Sequence, residues 1–329
     1  MTYRPGNEEP NLLFRGFMLV LIGIGLCLAL LVLLGNVTEL TFENLLSGPY
    51  FWQAILLEIL ALALFVLSWY VLIFFGGHNK ISIIEASAHI GITLIGKYLP
   101  GKVWGLIGRT YLLKQRNYSI GAAVELLLAD QFLTFYTGIF LASLALLAIY
   151  NLSLFTLAFI LFLLVNVLVS LFYADLISRV LLLMKALFKR VARIQDTSEE
   201  NHVSSVVNKT SLSLAMLVYL IHWMATSVVL LLLFYPALQP ALEINCLLLL
   251  AAIPLGVLSG FLAVWAPGGI GIREAVIVGI LAINLPLELA AAIAVTYRLI
   301  CVINDLATGA IALAYYGGSG LQLLRNQQP

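Results

Sequence analysis

Two arginines follow the two points where a long apolar chain is broken by proline and glycine. Arg109 comes after Pro100-Gly101, and Arg273, with Glu274 beside it, comes after Pro267-Gly268-Gly269 and Gly271. A helix that starts inside apolar surroundings aims unpaired N–H groups outward, which favours an anion. A guanidinium about one turn further on holds a phosphate or carboxylate through two parallel hydrogen bonds. The chemistry on offer is recognition of an anionic group, a phosphate above all. Charges at membrane depth are disfavoured unless paired, so each one is a binding candidate by default. Lys97, Arg298 and Asp305 join the set on that ground; Arg298 and Asp305 share one helix face and are placed to pair with neighbours such as Glu274. The candidate substrate-binding residues are therefore Arg273, Glu274, Arg109, Lys97, Arg298, Asp305, Gly101, Gly268, Gly269 and Gly271, with no catalytic residue among them.

Other reactive types read more plainly. Glu58, Glu125 and Asp130 are expected to be packing or interface partners. Glu85 and His89 have the one-turn spacing of a metal-ligand pair, but no second His or Cys pair joins them, so no metal is expected and a proton relay is the alternative. Cys27, Cys246 and Cys301 all fall in apolar runs without ligand spacing and read as core residues. Trp104, Trp223 and Trp265 read as packing or interface anchors. With no nucleotide-binding loop visible, no cofactor is expected.

The elements that must position these groups are membrane helices. Hydrophobic residues make up 62% of the 329 and charged residues only 10%, against about half and a quarter in a soluble domain. Uncharged runs lie between Arg15 and Glu39, Asp130 and Asp175, and Lys209 and Glu243. Full spans are expected at about 17–34, 51–75, 119–148, 153–172, 210–234 and 287–316. The first is too long, and too poorly followed by small residues, for a cleaved signal peptide. The stretch 173–209 alternates apolar and basic residues at helical spacing and reads as an interfacial helix and loop on the cytoplasmic side. Of the 17 Lys and Arg, all but Arg273 and Arg298 fall on that same face, so both termini are expected to be cytoplasmic.

Two segments, 81–113 and 244–283, are too short after their breaks to cross twice. Each is expected to be a re-entrant hairpin, the first entering from the cytoplasmic side and the second from outside; ordinary surface turns at Pro-Gly are the alternative. Interrupted segments at matching places in two halves point to an inverted repeat. The expected fold is an all-α polytopic membrane protein with about six full spans and two opposed hairpins. Residues 1–329 form one transmembrane domain, with halves at about 1–172 and 210–329.

Gly96-Lys97-Tyr98-Leu99-Pro100-Gly101-Lys102, continuing to Arg109-Thr110-Tyr111-Leu112-Leu113, resembles the LPG…G…R.YLL segment of the lysylphosphatidylglycerol synthetase transmembrane-region family. Gly268-Gly269-Ile270-Gly271-Ile272-Arg273-Glu274 resembles that family's GG(L/I)G.RE signature, and the resemblance covers nearly the whole chain. Leu126 stands where relatives often carry arginine in a Glu-Arg…Asp pattern, a departure at Glu125 and Asp130. The resemblance implies a lipid flippase of the cell (inner) membrane and Arg109, Arg273 and Glu274 as motif charges. The soluble aminoacyl-transfer domain of fused members is not seen, which implies that the chain is not the enzyme making the lipid. The expected partner is a membrane lipid, either an anionic phospholipid or a polyprenyl-phosphate-linked head group, with no nucleic acid. A lipid-modifying enzyme and a second copy of the chain are the protein associations considered. The competing readings are an integral membrane transferase acting on a lipid-linked substrate and a secondary transporter of a small anionic solute.

Overall fold

The computed structural model describes residues 49–76, 80–99, 103–150, 157, 161, 206–234 and 246–325. The expected span at 17–34, the interfacial helix, most of the span at 153–172 and the Pro100-Gly101 turn lie outside the described residues. Within them the chain is helical, with four helices long and apolar enough to cross a membrane. These are α1 (Pro49–Phe75), α4 (Ile120–Tyr150), α5 (Lys209–Phe234) and α8 (Leu287–Arg325). Each runs within a few residues of an expected span, because a long uncharged run leaves the backbone no other way to satisfy its N–H and C=O groups in lipid. Large apolar side chains such as Leu56, Leu217, Met224 and Ile311 remain exposed along them, as lipid contact requires.

Between these helices lie two pairs of short ones. The first pair is α2 (Ile83–Gly96) and α3 (Trp104–Gln115), of 14 and 12 residues. The second is α6 (Leu247–Leu262) and α7 (Ile272–Leu281), of 16 and 10 residues, joined through a 3-10 turn at Pro267–Gly269. Ser82 starts α2 by accepting the Glu85 N–H at 3.2 Å. The arms of each hairpin close on glycine. A Cβ on Gly96 would stand 2.5 Å from the Gly105 nitrogen, and one on Gly269 would stand 2.8 Å from the Gly260 Cα.

The order long helix, hairpin, long helix thus occurs twice, as α1 to α4 and as α5 to α8. The contacts respect that repeat. α1 packs along its counterpart α5, α2 against α8, and α4 against α6. All three pairs are antiparallel. Phe65 meets Tyr219 and His222 while the Phe75 carbonyl takes the Asn208 amide at the other end of the pair. Gly91 meets Thr308 and Ala312 while Tyr98 reaches Asp305. Phe135 meets Phe261 while Ala145 and Ala251 share a small cluster. Of these, α1 and α5 are counterparts, and their opposite directions are those of an inverted repeat. The consequence for function is geometric: the end of α2 meets the turn before α7.

Candidate functional site

The turn after α2 and the turn before α7 touch. The Gly268 N–H donates to the Lys97 carbonyl at 2.7 Å, tying one hairpin tip to the other through backbone. Gly268 has φ of +61°, and a Cβ there would meet the Tyr98 ring at 2.7 Å. Glycine is needed on both counts, for the left-handed backbone and for the close approach. The 3-10 turn thus presents its backbone directly to the opposite hairpin.

Charges gather around this junction from α7, α8 and the first tip. Arg298 donates from Nη2 to the Gly268 carbonyl at 2.8 Å, and its Nε lies 3.2 Å from Glu274 Oε1. Glu274 in turn accepts the Gly271 N–H at 2.7 Å, capping the start of α7 with its own side chain. Lys97 Nζ stands 2.7 Å from Asp305 Oδ2, and the Tyr98 hydroxyl donates to the same oxygen at 2.6 Å. Arg273 is buried and differs from the others. Its Nη2 points at Cys301 Sγ at 3.4 Å, its guanidinium lies 5.2 Å from the Tyr297 ring centre, and it has no ion pair among the described residues. Beyond Cys301, at 3.4 Å from its sulfur, is Oε1 of the buried Glu58 on α1. Lys97 remains partly open, with 28% of its side chain exposed.

Of the residues expected from the sequence, Arg273, Glu274, Lys97, Arg298, Asp305 and Gly268 come together here, with Gly271 and Gly269 behind them. Gly101 lies outside the described residues. Arg109 goes elsewhere. It is fully buried, donates to Asp130 at 2.9 Å and stacks over the Trp69 ring at 3.6 Å. Tyr219 of α5 closes that pair by donating to the other Asp130 oxygen. Next to it, the Trp69 indole N–H points at His89 Nδ1 at 3.4 Å, and the Glu85 carboxylate accepts two hydrogen bonds from Arg116, at 2.6 and 2.7 Å. His89 Nε2 and Glu85 are 4.0 Å apart.

The sequence reading passed over Tyr98, Tyr297, Glu58 and Cys301 as site residues. Cys301 is buried in the core as expected, with its thiol between Arg273 and Glu58; Cys246 is exposed rather than in the core. A periodicity signal was present for two of them: Tyr297 and Cys301 precede Asp305 at two-turn and one-turn spacings on α8 and so share its face. Trp223 packs internally, giving its indole N–H to Thr137 at 3.1 Å, while Trp265 is 79% exposed beside the second tip. No three His, Cys, Asp or Glu side chains converge among the described residues.

The arrangement can bind an anion. Lys97 and Arg298 meet the backbone of a glycine turn, and Arg273, at the start of the helix that follows, has no ion pair among the described residues. Apolar side chains flank it: Ile303 and Leu306 are exposed on either side of Asp305, and Val264 is exposed beside the second turn. No curated protein matches the chain. The family described as the lysylphosphatidylglycerol synthase TM region matches over residues 12–309, nearly all of the 329, and the chain belongs to that family.

Proposed function

We propose that the protein is a lipid translocase, which moves a lipid with an anionic head group between the two leaflets. The head group is an anionic phospholipid, aminoacylated or not, or a polyprenyl phosphate carrying sugar. The observation that carries this reading is the junction of the two hairpin tips, where Lys97 and Arg298 meet the backbone of Gly268 and Arg273 follows at the start of α7. In this reading Arg273 holds the phosphate, Lys97 and Arg298 add charge around it, and Asp305 and Glu274 neutralise those two cations when no lipid is bound. Gly268, Gly269 and Gly271 let backbone approach the head group. The exposed apolar residues beside the junction leave the acyl or prenyl chains in the bilayer while the head crosses. Membership of the family supports a lipid substrate over a small anionic solute.

The same reading has the hairpins turning inside the membrane. Their arms measure about 21, 18, 24 and 15 Å at the α-helical rise, against about 30 Å of hydrocarbon. Entry of the first from the cytoplasm and of the second from outside follows the distribution of Lys and Arg, as do cytoplasmic termini, and an inner-membrane location follows the family. Residues 1–329 then work as one transmembrane domain, alone or as a homo-oligomer, beside an enzyme that modifies the lipid.

Proteoliposomes loaded with fluorescent phosphatidylglycerol, or with a labelled polyprenyl phosphate, test the function. The wild-type chain is expected to move at least one of these from the inner to the outer leaflet, and Arg273→Ala to slow it about tenfold or more, the loss of one charge-assisted contact. Equal rates with wild type, variant and empty vesicles reject the proposal. Cysteines at the exposed Asn117 and Asn284 should label from opposite faces of the membrane; labelling of both from one face removes the opposed entry of the hairpins.

A further inference from the structure

Four acids of the bundle sit against a basic side chain. Asp130 holds Arg109, Asp305 holds Lys97, Glu85 holds Arg116, and Glu274 faces Arg298. Glu58, on α1 and 8% exposed, has no ion pair among the described residues. Its Oε1 lies 3.4 Å from the Cys301 sulfur and its Oε2 is buried without a hydrogen-bond partner. On the other side of that sulfur, also at 3.4 Å, is Nη2 of Arg273, whose Nε is likewise without a hydrogen bond. One thiol therefore separates a buried carboxyl from the guanidinium assigned to the lipid phosphate.

An ionised carboxylate at membrane depth is strongly disfavoured unless a cation compensates it. Arg273 is the near cation for Glu58. A head-group phosphate that engages the guanidinium takes that compensation away, and the carboxyl then recovers neutrality by binding a proton. When the phosphate leaves, the guanidinium turns back and the proton is lost.

We propose that Glu58 is the coupling carboxyl of the translocation site, binding one proton together with the anionic head group so that the two cross the membrane together. The O–H bond forms at Oε2 with a proton from the aqueous phase on the loading side, and it breaks to water on the releasing side. By linkage the effects are mutual: the proton tightens lipid binding as much as the lipid tightens proton binding. The inference rests on the lipid-translocase reading. It selects Glu58 over Asp305 and Glu274 because those two have direct basic partners. The charged and titratable groups facing Glu58 are Arg273 on α7, Tyr297, Cys301 and Asp305 on α8, and Lys97 at the first tip. On α5 the nearest is His222, whose ring Nδ1 lies 2.8 Å from the Ala61 carbonyl one turn along α1.

Titration calorimetry of the full chain in nanodiscs, with short-chain phosphatidylglycerol and separately with a short-chain polyprenyl phosphate, measures binding. Repeating it in two buffers of different ionisation enthalpy counts the protons taken up. Wild type is expected to take up about one proton per lipid bound, the linkage of a single site. Glu58→Gln is expected to bind lipid and lose the uptake, whereas Glu58→Asp and His222→Gln keep it. Should the glutamine variant not fold, Glu58→Asp carries the test through a displaced pH dependence of uptake, which an uninvolved residue would not move. Lipid bound by wild type without protons, or uptake that persists in Glu58→Gln, overturns the coupling and leaves the lipid reading intact. Absence of binding for both lipids overturns the two together.

Discussion

Arg109 and Arg273 occupy matching places, each on the second arm of a hairpin, and have opposite surroundings. Arg109 has a carboxylate at 2.9 Å, an indole under its plane at 3.6 Å, and a tyrosine from the other unit closing the pair. Arg273 has only a thiol and a phenol ring, and no ion pair among the described residues. Asp130 on α4 supplies what makes the difference; on α8, the helix at the matching place in the second unit, Arg273 meets Tyr297 and Cys301 instead. An inverted repeat gives two copies of one construction, and changing a single acceptor divides the labour between them. One arginine fastens its hairpin to the bundle. In the proposed function the other keeps its charge for a head group that comes and goes.

If that division holds, the largest effect on stability comes from the fastened side. Arg109→Ala leaves Asp130 buried without its cation, a loss of about 3–5 kcal/mol of the kind seen when one partner of a buried pair is removed. Thermal unfolding of the purified chain should register it as a steep drop, and an Arg109→Leu/Asp130→Leu double variant should recover most of it. Arg273→Ala breaks no ion pair among the described residues, and Glu58, which loses its near cation, can take a proton, so the variant is expected to unfold within about 1–2 kcal/mol of wild type. Should the two single variants be equally destabilised, the contrast between the arginines fails.

The next effect comes from making the second unit resemble the first. Cys301→Asp places a carboxylate within reach of Arg273 and is expected to slow lipid transport about tenfold, since the phosphate must now displace a fixed anion. Thermal stability should hold in the same variant. Transport at the wild-type rate would mean that Arg273 does not meet the substrate.

Much of this plan was legible in the sequence, for physical reasons that differ by element. The long helices were readable because an uncharged run with no alternative to helix in lipid fixes both type and length; α1, α4, α5 and α8 fall where the runs lie. The breaks at Pro267-Gly268-Gly269 were readable because proline and glycine punctuate locally. The meeting of Lys97 with Asp305 and of Gly268 with Tyr98 was not, since those pairs are distant in sequence and only packing decides them. Grouping Arg109 with Arg273 by motif concealed their different neighbours, because Trp69 and Tyr219 come from other helices. Glu58 was passed over for the same reason: its importance lies in what fails to pair with it.

A smaller effect is expected at the junction itself. Gly268→Ala forces a side chain into left-handed backbone and against the Tyr98 ring, a strain of about 1–3 kcal/mol. Pairing it with Tyr98→Ala removes the clash but not the backbone strain, so stability should return only in part. Full recovery would make the ring, rather than the φ angle, the whole reason for glycine.

The smallest effect on stability belongs to Lys97, and its size separates fastening from binding at the first hairpin. Lys97 is partly exposed, so water can reach the carboxylate it leaves, and Lys97→Met should lower stability by about 1 kcal/mol or less, well below the loss at the fully buried Arg109–Asp130 pair. In transport the prediction is larger, a several-fold loss, because in the proposed cycle the lysine leaves Asp305 for the incoming phosphate. Asp305→Asn should act in the opposite sense on binding: with the competing carboxylate neutralised, the anionic lipid binds more tightly and is released more slowly. Calorimetry on the two variants separates these outcomes. Parallel weakening of lipid binding by both would make the Lys97–Asp305 pair a fastening like Arg109–Asp130, and would leave Arg273 as the one cation at the junction that exchanges its partner.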